Sequence, residues 1–161
     1  MLYVRETIVG PMAIGSDGEF ITHLYLPKNT AELGRFDKKE PPAVKEAFRQ
    51  LELYLAGKLK RFDLPLKAEG TTFMKKVWEK LVEVPYGKTA SYRDLAIASG
   101  NPKAVRAVGM ANARNPIAIF IPCHRIIGAN GKLVGYGGGL ELKTWLLDLE
   151  AAHSPEESPQ G

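Results

Sequence analysis

Glycine and proline divide this 161-residue chain so often that no long element of any kind can form. Breaks are expected at Gly10-Pro11, Ser16-Asp17-Gly18, Pro41-Pro42, Gly57, Pro85-Tyr86-Gly87, Gly100, Asn101-Pro102, Asn115-Pro116 and Asn130-Gly131. Before Leu26 the segments between breaks are rich in β-branched and aromatic residues, as strands are. Pro41-Pro42 then opens a helix in which Val44, Phe48, Leu51 and Leu55 recur at helical spacing, with Gly57 as its stop. Residues 27–40 read as irregular and 58–70 as a linker. These features describe an α/β (α+β) chain that begins with a small sheet-plus-helix domain over 1–70.

The second domain, over 71–150, reads as mainly helical. Thr72 caps a helix through about Val84 with Phe73, Val77, Trp78, Leu81 and Val82 on one face. Ser91 caps a short helix over 92–99, and Asn101-Pro102 starts a third, over 102–113, because proline suits the first helical position. Helix, glycine-containing turn, helix is the layout of a helix-turn-helix. Val105 and Val108 are expected to face the core, and Arg106 to project outward. Leu140, Leu142, Trp145, Leu146 and Leu149 mark a last helix ending near Glu150, and 151–161 reads as a disordered tail.

Charge is unevenly placed. Residues 1–70 carry 11 basic and 10 acidic side chains, whereas 71–150 carry 11 and 6. Within 85–138, Lys88, Arg93, Lys103, Arg106, Arg114, Arg125 and Lys132 face only Asp94. A one-signed stretch suits a polyanion or a solvated face. The longest apolar run, Ile117–Ile121, is far below the roughly 20 residues of a membrane helix, and Met1–Glu6 alternates as a strand does rather than as a signal peptide. One cysteine allows no internal disulfide and no multi-thiolate zinc site. A cytoplasmic protein without metal, cofactor or membrane partner is expected, nucleoid-associated if bacterial.

That cysteine lies in Ile121-Pro122-Cys123-His124-Arg125-Ile126-Ile127. A lone cysteine is ordinarily a small buried hydrophobe. Here a histidine and an arginine interrupt an apolar run, and buried polar groups need partners. A thiol, of pKa about 8.5, becomes a strong nucleophile when a base takes its proton. Neighbours in an extended chain point to opposite faces, so Cys123 and His124 cooperate only if the chain turns or a water bridges them. Glu141, Asp148 and Glu150 are candidate carboxylates to orient the imidazole, and spacing does not choose among them.

Pro122-Cys123-His124-Arg125, preceded by Asn101–Gly109 and Asn115-Pro116 and followed by Tyr136-Gly137-Gly138-Gly139-Leu140 and Lys143–Leu147, resembles the O6-alkylguanine-DNA alkyltransferases. The resemblance covers 71–150 closely and the N-terminal unit in general layout. It implies irreversible, stoichiometric transfer of an alkyl group from O6-alkylguanine, and from O4-alkylthymine as a second substrate, in flipped-out bases to Cys123. His124 would act as base through water, with Glu150 polarising it and Tyr92 assisting at the flipped nucleotide. Ala104, Val105, Arg106 and Tyr92 would contact DNA, Arg106 filling the gap in the stack. Tyr136, Gly137, Asn115, Lys143 and the main-chain carbonyls of Cys123 and Ile126 would form the base pocket. Gly137 stands where many members carry serine, and Asn112 and Ala118 replace larger or proline side chains. The expected partner is double-stranded DNA with alkylated bases, met by a monomer. Two other functions share parts of this pattern: a lesion-binding protein that transfers nothing, against which Cys123 argues, and a Cys-His hydrolase indifferent to DNA.

Overall fold

The computed structural model describes residues 1–154. Strands β1 (Leu2–Thr7), β2 (Gly10–Ser16) and β3 (Ile21–Tyr25) form an antiparallel meander with β2 in the centre. The first turn falls at Ile8-Val9, ahead of the expected Gly10-Pro11, because Thr7 pairs with Gly10. The Thr7 hydroxyl closes that turn, donating to the Gly10 carbonyl and accepting from Val9 N–H. Helix α1 (Pro27–Thr30) occupies part of the stretch read as irregular, with proline in its first turn. Helix α2 (Pro42–Leu55) packs on the sheet through Val44, Ala47, Phe48, Leu51 and Leu55.

The expected linker is partly a strand-like edge. Phe62, Leu64, Leu66 and Ala68 alternate inward with exposed residues between them, and Ile21 exchanges backbone hydrogen bonds with Pro65 and Lys67. Leu24 N–H donates to the Pro116 carbonyl on the same edge strand. The N-terminal sheet thereby holds the segment that leads to Cys123, and the two halves share one hydrophobic core.

Helix α3 (Thr72–Val82) is capped by Thr71, one residue before the expected cap, whose hydroxyl accepts from Met74 N–H. Helix α4 (Tyr92–Ala98) opens on a reciprocal capping box between Ser91 and Asp94. Helix α5 (Val105–Ala113) begins three residues later than expected. The Asn101 side chain and carbonyl accept from Lys103 and Ala104 N–H, making 101–104 a turn that sets the angle between α4 and α5. Trp78 Nε1 on α3 donates to the Ala111 carbonyl and locks α5 in place. Strand β4 (Ala90–Ser91) pairs in parallel with β5 (Ile126–Ile127). Helix α6 (Leu140–His153) passes Glu150 by three residues, so the start of the expected tail is helical; 155–161 lies outside the described residues. Among the described residues no helix is long and apolar enough to cross a membrane.

Candidate active site and DNA-facing surface

The chain turns where cooperation between Cys123 and His124 requires it. Cys123–Arg125 form one 3-10 turn, entered from Pro122, with Arg125 N–H bonded to the Pro122 carbonyl. Asn115 braces the approach: its carbonyl oxygen accepts from Ile117 N–H, and its amide donates to the Ile121 carbonyl. Between them Ile119 adopts φ +70°, a conformation costly for a β-branched residue and one that such bracing sustains.

Behind the turn lies a closed relay. The Glu150 carboxylate accepts from His124 Nε2 at 2.7 Å, from Tyr54 Oη at 2.5 Å, from Arg125 Nε at 2.8 Å and Nη2 at 3.0 Å, and from Gly87 N–H at 3.1 Å. Burial raises the Glu150 pKa, but His124 and Arg125 outweigh it and hold the carboxyl down to about 2. An ionised carboxylate only accepts, so Nε2 carries the imidazole proton and Nδ1 presents its lone pair. His124 is fully buried, Nδ1 has no hydrogen-bond partner, and burial depresses the imidazole pKa despite Glu150. The product is a neutral base with one defined accepting atom.

Cys123 is 6% exposed and lines a cavity of about 460 Å³ with Tyr92, Asn112, Asn115, Ala118, Tyr136 and Gly137, among others. Burial pushes the thiol up from its ordinary range, against the pull of the Asn115 side chain and the Lys143 charge. Burial and the nearby sulfur raise the Tyr92 and Tyr136 phenols, keeping both protonated as donors. The Tyr136 hydroxyl is buried without a partner, whereas Tyr92 Oη donates to the Val134 carbonyl.

Two expected pocket residues stand behind the wall instead of lining the cavity. Lys143 Nζ donates to the carbonyls of Ile126, Val134 and Gly135, tying the 128–139 loop to β5. The Ile126 carbonyl, expected to face the base pocket, accepts from that ammonium at 2.6 Å instead. Val105 also departs from expectation: it is exposed, and α5 is buried through Val108, Ala111 and Asn112. Ala104, Val105 and Arg106 thus gather at the outer start of α5, with Arg106 exposed. Arg125 leaves the basic surface, since its charge is spent on Glu150.

Tyr54 was missed. It lies one position before Leu55 in the apolar stripe of α2, where a buried phenol requires a partner for its hydroxyl. No group of three His, Cys, Asp or Glu among the described residues is placed to hold a metal.

Two family patterns match: "6-O-methylguanine DNA methyltransferase, ribonuclease-like domain" over 2–68 and "6-O-methylguanine DNA methyltransferase, DNA binding domain" over 72–152. The chain belongs to the 6-O-methylguanine-DNA methyltransferase family. It is 49% identical over 151 residues to the methylated-DNA–protein-cysteine methyltransferase of Methanosarcina acetivorans, covering 92% of this chain and 97% of the relative. The Mycobacterium tuberculosis protein of the same name is 45% identical over 160 residues, covering 98% and 97%. The solved structure of M. tuberculosis OGT in complex with DNA superposes with a TM-score of 0.86 at 42% identity, covering 96% of this methyltransferase and 95% of that chain. A Methanococcus jannaschii O6-methylguanine DNA methyltransferase gives 0.70 at 27%, covering 97% of each.

Proposed function

We propose that this methyltransferase repairs DNA directly, moving the alkyl group of O6-alkylguanine onto Cys123, once per molecule. The observations that carry the site assignment are the unpartnered Nδ1 of a neutral, Glu150-bound His124 and, on the preceding residue of the same 3-10 turn, a thiol that lines the cavity. Through one bridging water, Nδ1 takes the thiol proton. Sulfur then attacks the alkyl carbon, an S–C bond forms as the C–O6 bond breaks, and the proton is returned to the departing guanine. In this reading Tyr136 Oη, buried without a partner, and the amide of Gly137, which lines the cavity, donate to the base as charge develops on it. The carbon stays on sulfur as a thioether, so no second cycle follows.

A base within a duplex hides its O6, and extrusion costs a few kcal/mol that a wedge and the pocket offset. Arg106 on the exposed face of α5 is the wedge in this reading, and the small residues around it let the helix approach the groove. Lesions occur in any sequence, so phosphate and shape contacts dominate and affinity falls as salt rises.

Incubation with a duplex carrying O6-methylguanine should add one methyl per protein, located by mass spectrometry on the Cys123 peptide. Repeated turnover, or binding with no added methyl, would refute the assignment. Arg106→Ala should slow repair of duplex lesions at least tenfold while leaving reaction with free O6-alkylguanine base nearly as fast. Equal losses on the two substrates would remove Arg106 from the wedge role.

A further inference from the structure

A second cleft, of about 600 Å³, opens where the strand-like edge after α2, the turn after α3 and the segment before Cys123 meet. It shares no lining residue with the cavity above Cys123. Its volume lies in the range of pockets that enclose small organic ligands. The walls are largely apolar and aromatic. Phe62 and Phe120 meet edge to face with ring centroids 4.7 Å apart, and Leu64, Ile119 and Tyr86 line the cleft with them.

The polar groups set among those rings are donors with unused capacity. Arg125 lines the cleft although it is more than nine-tenths buried. Of the five N–H bonds of its guanidinium, those on Nε and one on Nη2 go to Glu150, and one on Nη1 goes to the Val84 carbonyl. One N–H on each Nη is left without an acceptor among the described residues. The Tyr86 hydroxyl is likewise buried without a partner, and burial, then the Glu150 charge, keeps the phenol protonated against the pull of Arg125. Lys60 and Arg61 line the same cleft, exposed, and neither has a carboxylate within ion-pair distance among the described residues. Lys60 Nζ stands 5.8 Å from the Tyr86 ring centroid and Arg125 Cζ 5.7 Å from it, so one ring gathers two cations. The only acid among the lining residues, Glu83, is paired with Lys80.

We infer that this cleft is a binding site for a planar aromatic carboxylate, a ligand that takes no part in alkyl transfer. The ring lies against Phe62, Phe120 and Tyr86. The carboxylate accepts from the two remaining Arg125 N–H bonds and from the Tyr86 hydroxyl. A carboxylate fits such a set because it only accepts where the site only donates, and arginine favours it as a two-oxygen partner. Glu150 already balances the charge of Arg125, so Lys60 and Arg61 supply the net attraction for the anion.

Titration of the unaltered protein with 2-naphthoate, followed by calorimetry, should show saturable one-to-one binding and a melting temperature that rises with ligand. 2-Naphthamide, with the same ring and no charge, should bind about tenfold more weakly or worse. The double variant Lys60→Ala, Arg61→Ala should lose about tenfold in naphthoate affinity, while its melting temperature without ligand and its methyl-transfer rate stay those of the parent. Tyr86→Phe keeps the ring, removes the hydroxyl and should also weaken binding. On saturation, amide shifts in NMR spectra should gather at 60–66, 82–86 and 119–125. Absence of saturable binding, or equal affinity for the amide, would overturn the inference. So would an affinity unmoved by the double variant, which would put the probe in the cavity above Cys123 instead.

Discussion

Glu150→Ala is expected to cost this methyltransferase both stability and chemistry, more than any substitution on its DNA-facing surface. The carboxylate receives hydrogen bonds from Tyr54, His124, Arg125 and the Gly87 amide, and all but Gly87 are buried side chains. Removing it leaves the Arg125 guanidinium charged, 6% exposed and stripped of its counter-ion. Breaking a buried pair in this way costs about 3–5 kcal/mol, a large share of the ~5–15 kcal/mol that holds such a domain folded. The melting temperature should drop by roughly 10 °C. The alkyl-transfer rate should fall about a hundredfold or more, because nothing then fixes the His124 tautomer that leaves Nδ1 free. A variant melting like the parent would show that the relay is not integral to the fold.

The same group sets the acid limit. The Glu150 carboxyl is held at about 2 in the folded protein against an ordinary 4.5, so its contribution is complete above pH 4.5 and is lost as pH falls toward 2. At about 1.4 kcal/mol per unit, that loss approaches ~3 kcal/mol. His124 adds to it with the same sign. Its imidazole is depressed below 6.5 in the fold, so the unfolded chain binds a proton that the folded chain resists once pH drops below that value. Melting temperature should therefore fall progressively from pH 6.5 downward, and Glu150→Gln should flatten the portion between 4.5 and 2.

The relay was half legible in the sequence, and the missing half has a physical reason. Cys123, His124 and Arg125 draw notice because they are polar in an apolar run. Glu150 is one of three carboxylates on the last helix that spacing does not separate, and only the resemblance selects it, because the apolar residues of α6 do not mark its buried face. Leu140 is exposed, whereas the stripe that turns inward is Lys143, Leu146 and Glu150, two of its three members charged. A period of hydrophobicity cannot report a face that is buried through ion pairs and carbonyl contacts. Tyr54 was hidden by the opposite effect, since it fits the apolar stripe of α2 and its function lies in one atom at the ring's tip. The helix-turn-helix was read correctly in kind but started early at Pro102, because Asn101 spends its acceptors on a turn. Sequence signals for helix starts do not separate an Asx turn from a first helical turn when proline follows.

Lys143→Met tests the least conspicuous member of the inward stripe of α6. Methionine keeps much of the side-chain volume and removes the ammonium, leaving the Ile126, Val134 and Gly135 carbonyls without their donor. Hydrogen bonds to a charged group contribute about 1.5–3 kcal/mol each, but Val134 and Gly135 are exposed and can turn to water, whereas the Ile126 carbonyl is buried. A net loss of about 2–4 kcal/mol is expected, with faster amide exchange confined to the 128–139 loop. A rigid but inert filler would stop there. Lys143 also lowers the Cys123 thiol by its charge, against the burial that raises it. The variant's rate should therefore reach its maximum at higher pH than the parent's, and its maximal rate should drop because Tyr136 and Gly137 ride on the loosened loop. If the pH profile stays in place while the loop loosens, the ammonium acts on the pocket's shape alone and not on the sulfur.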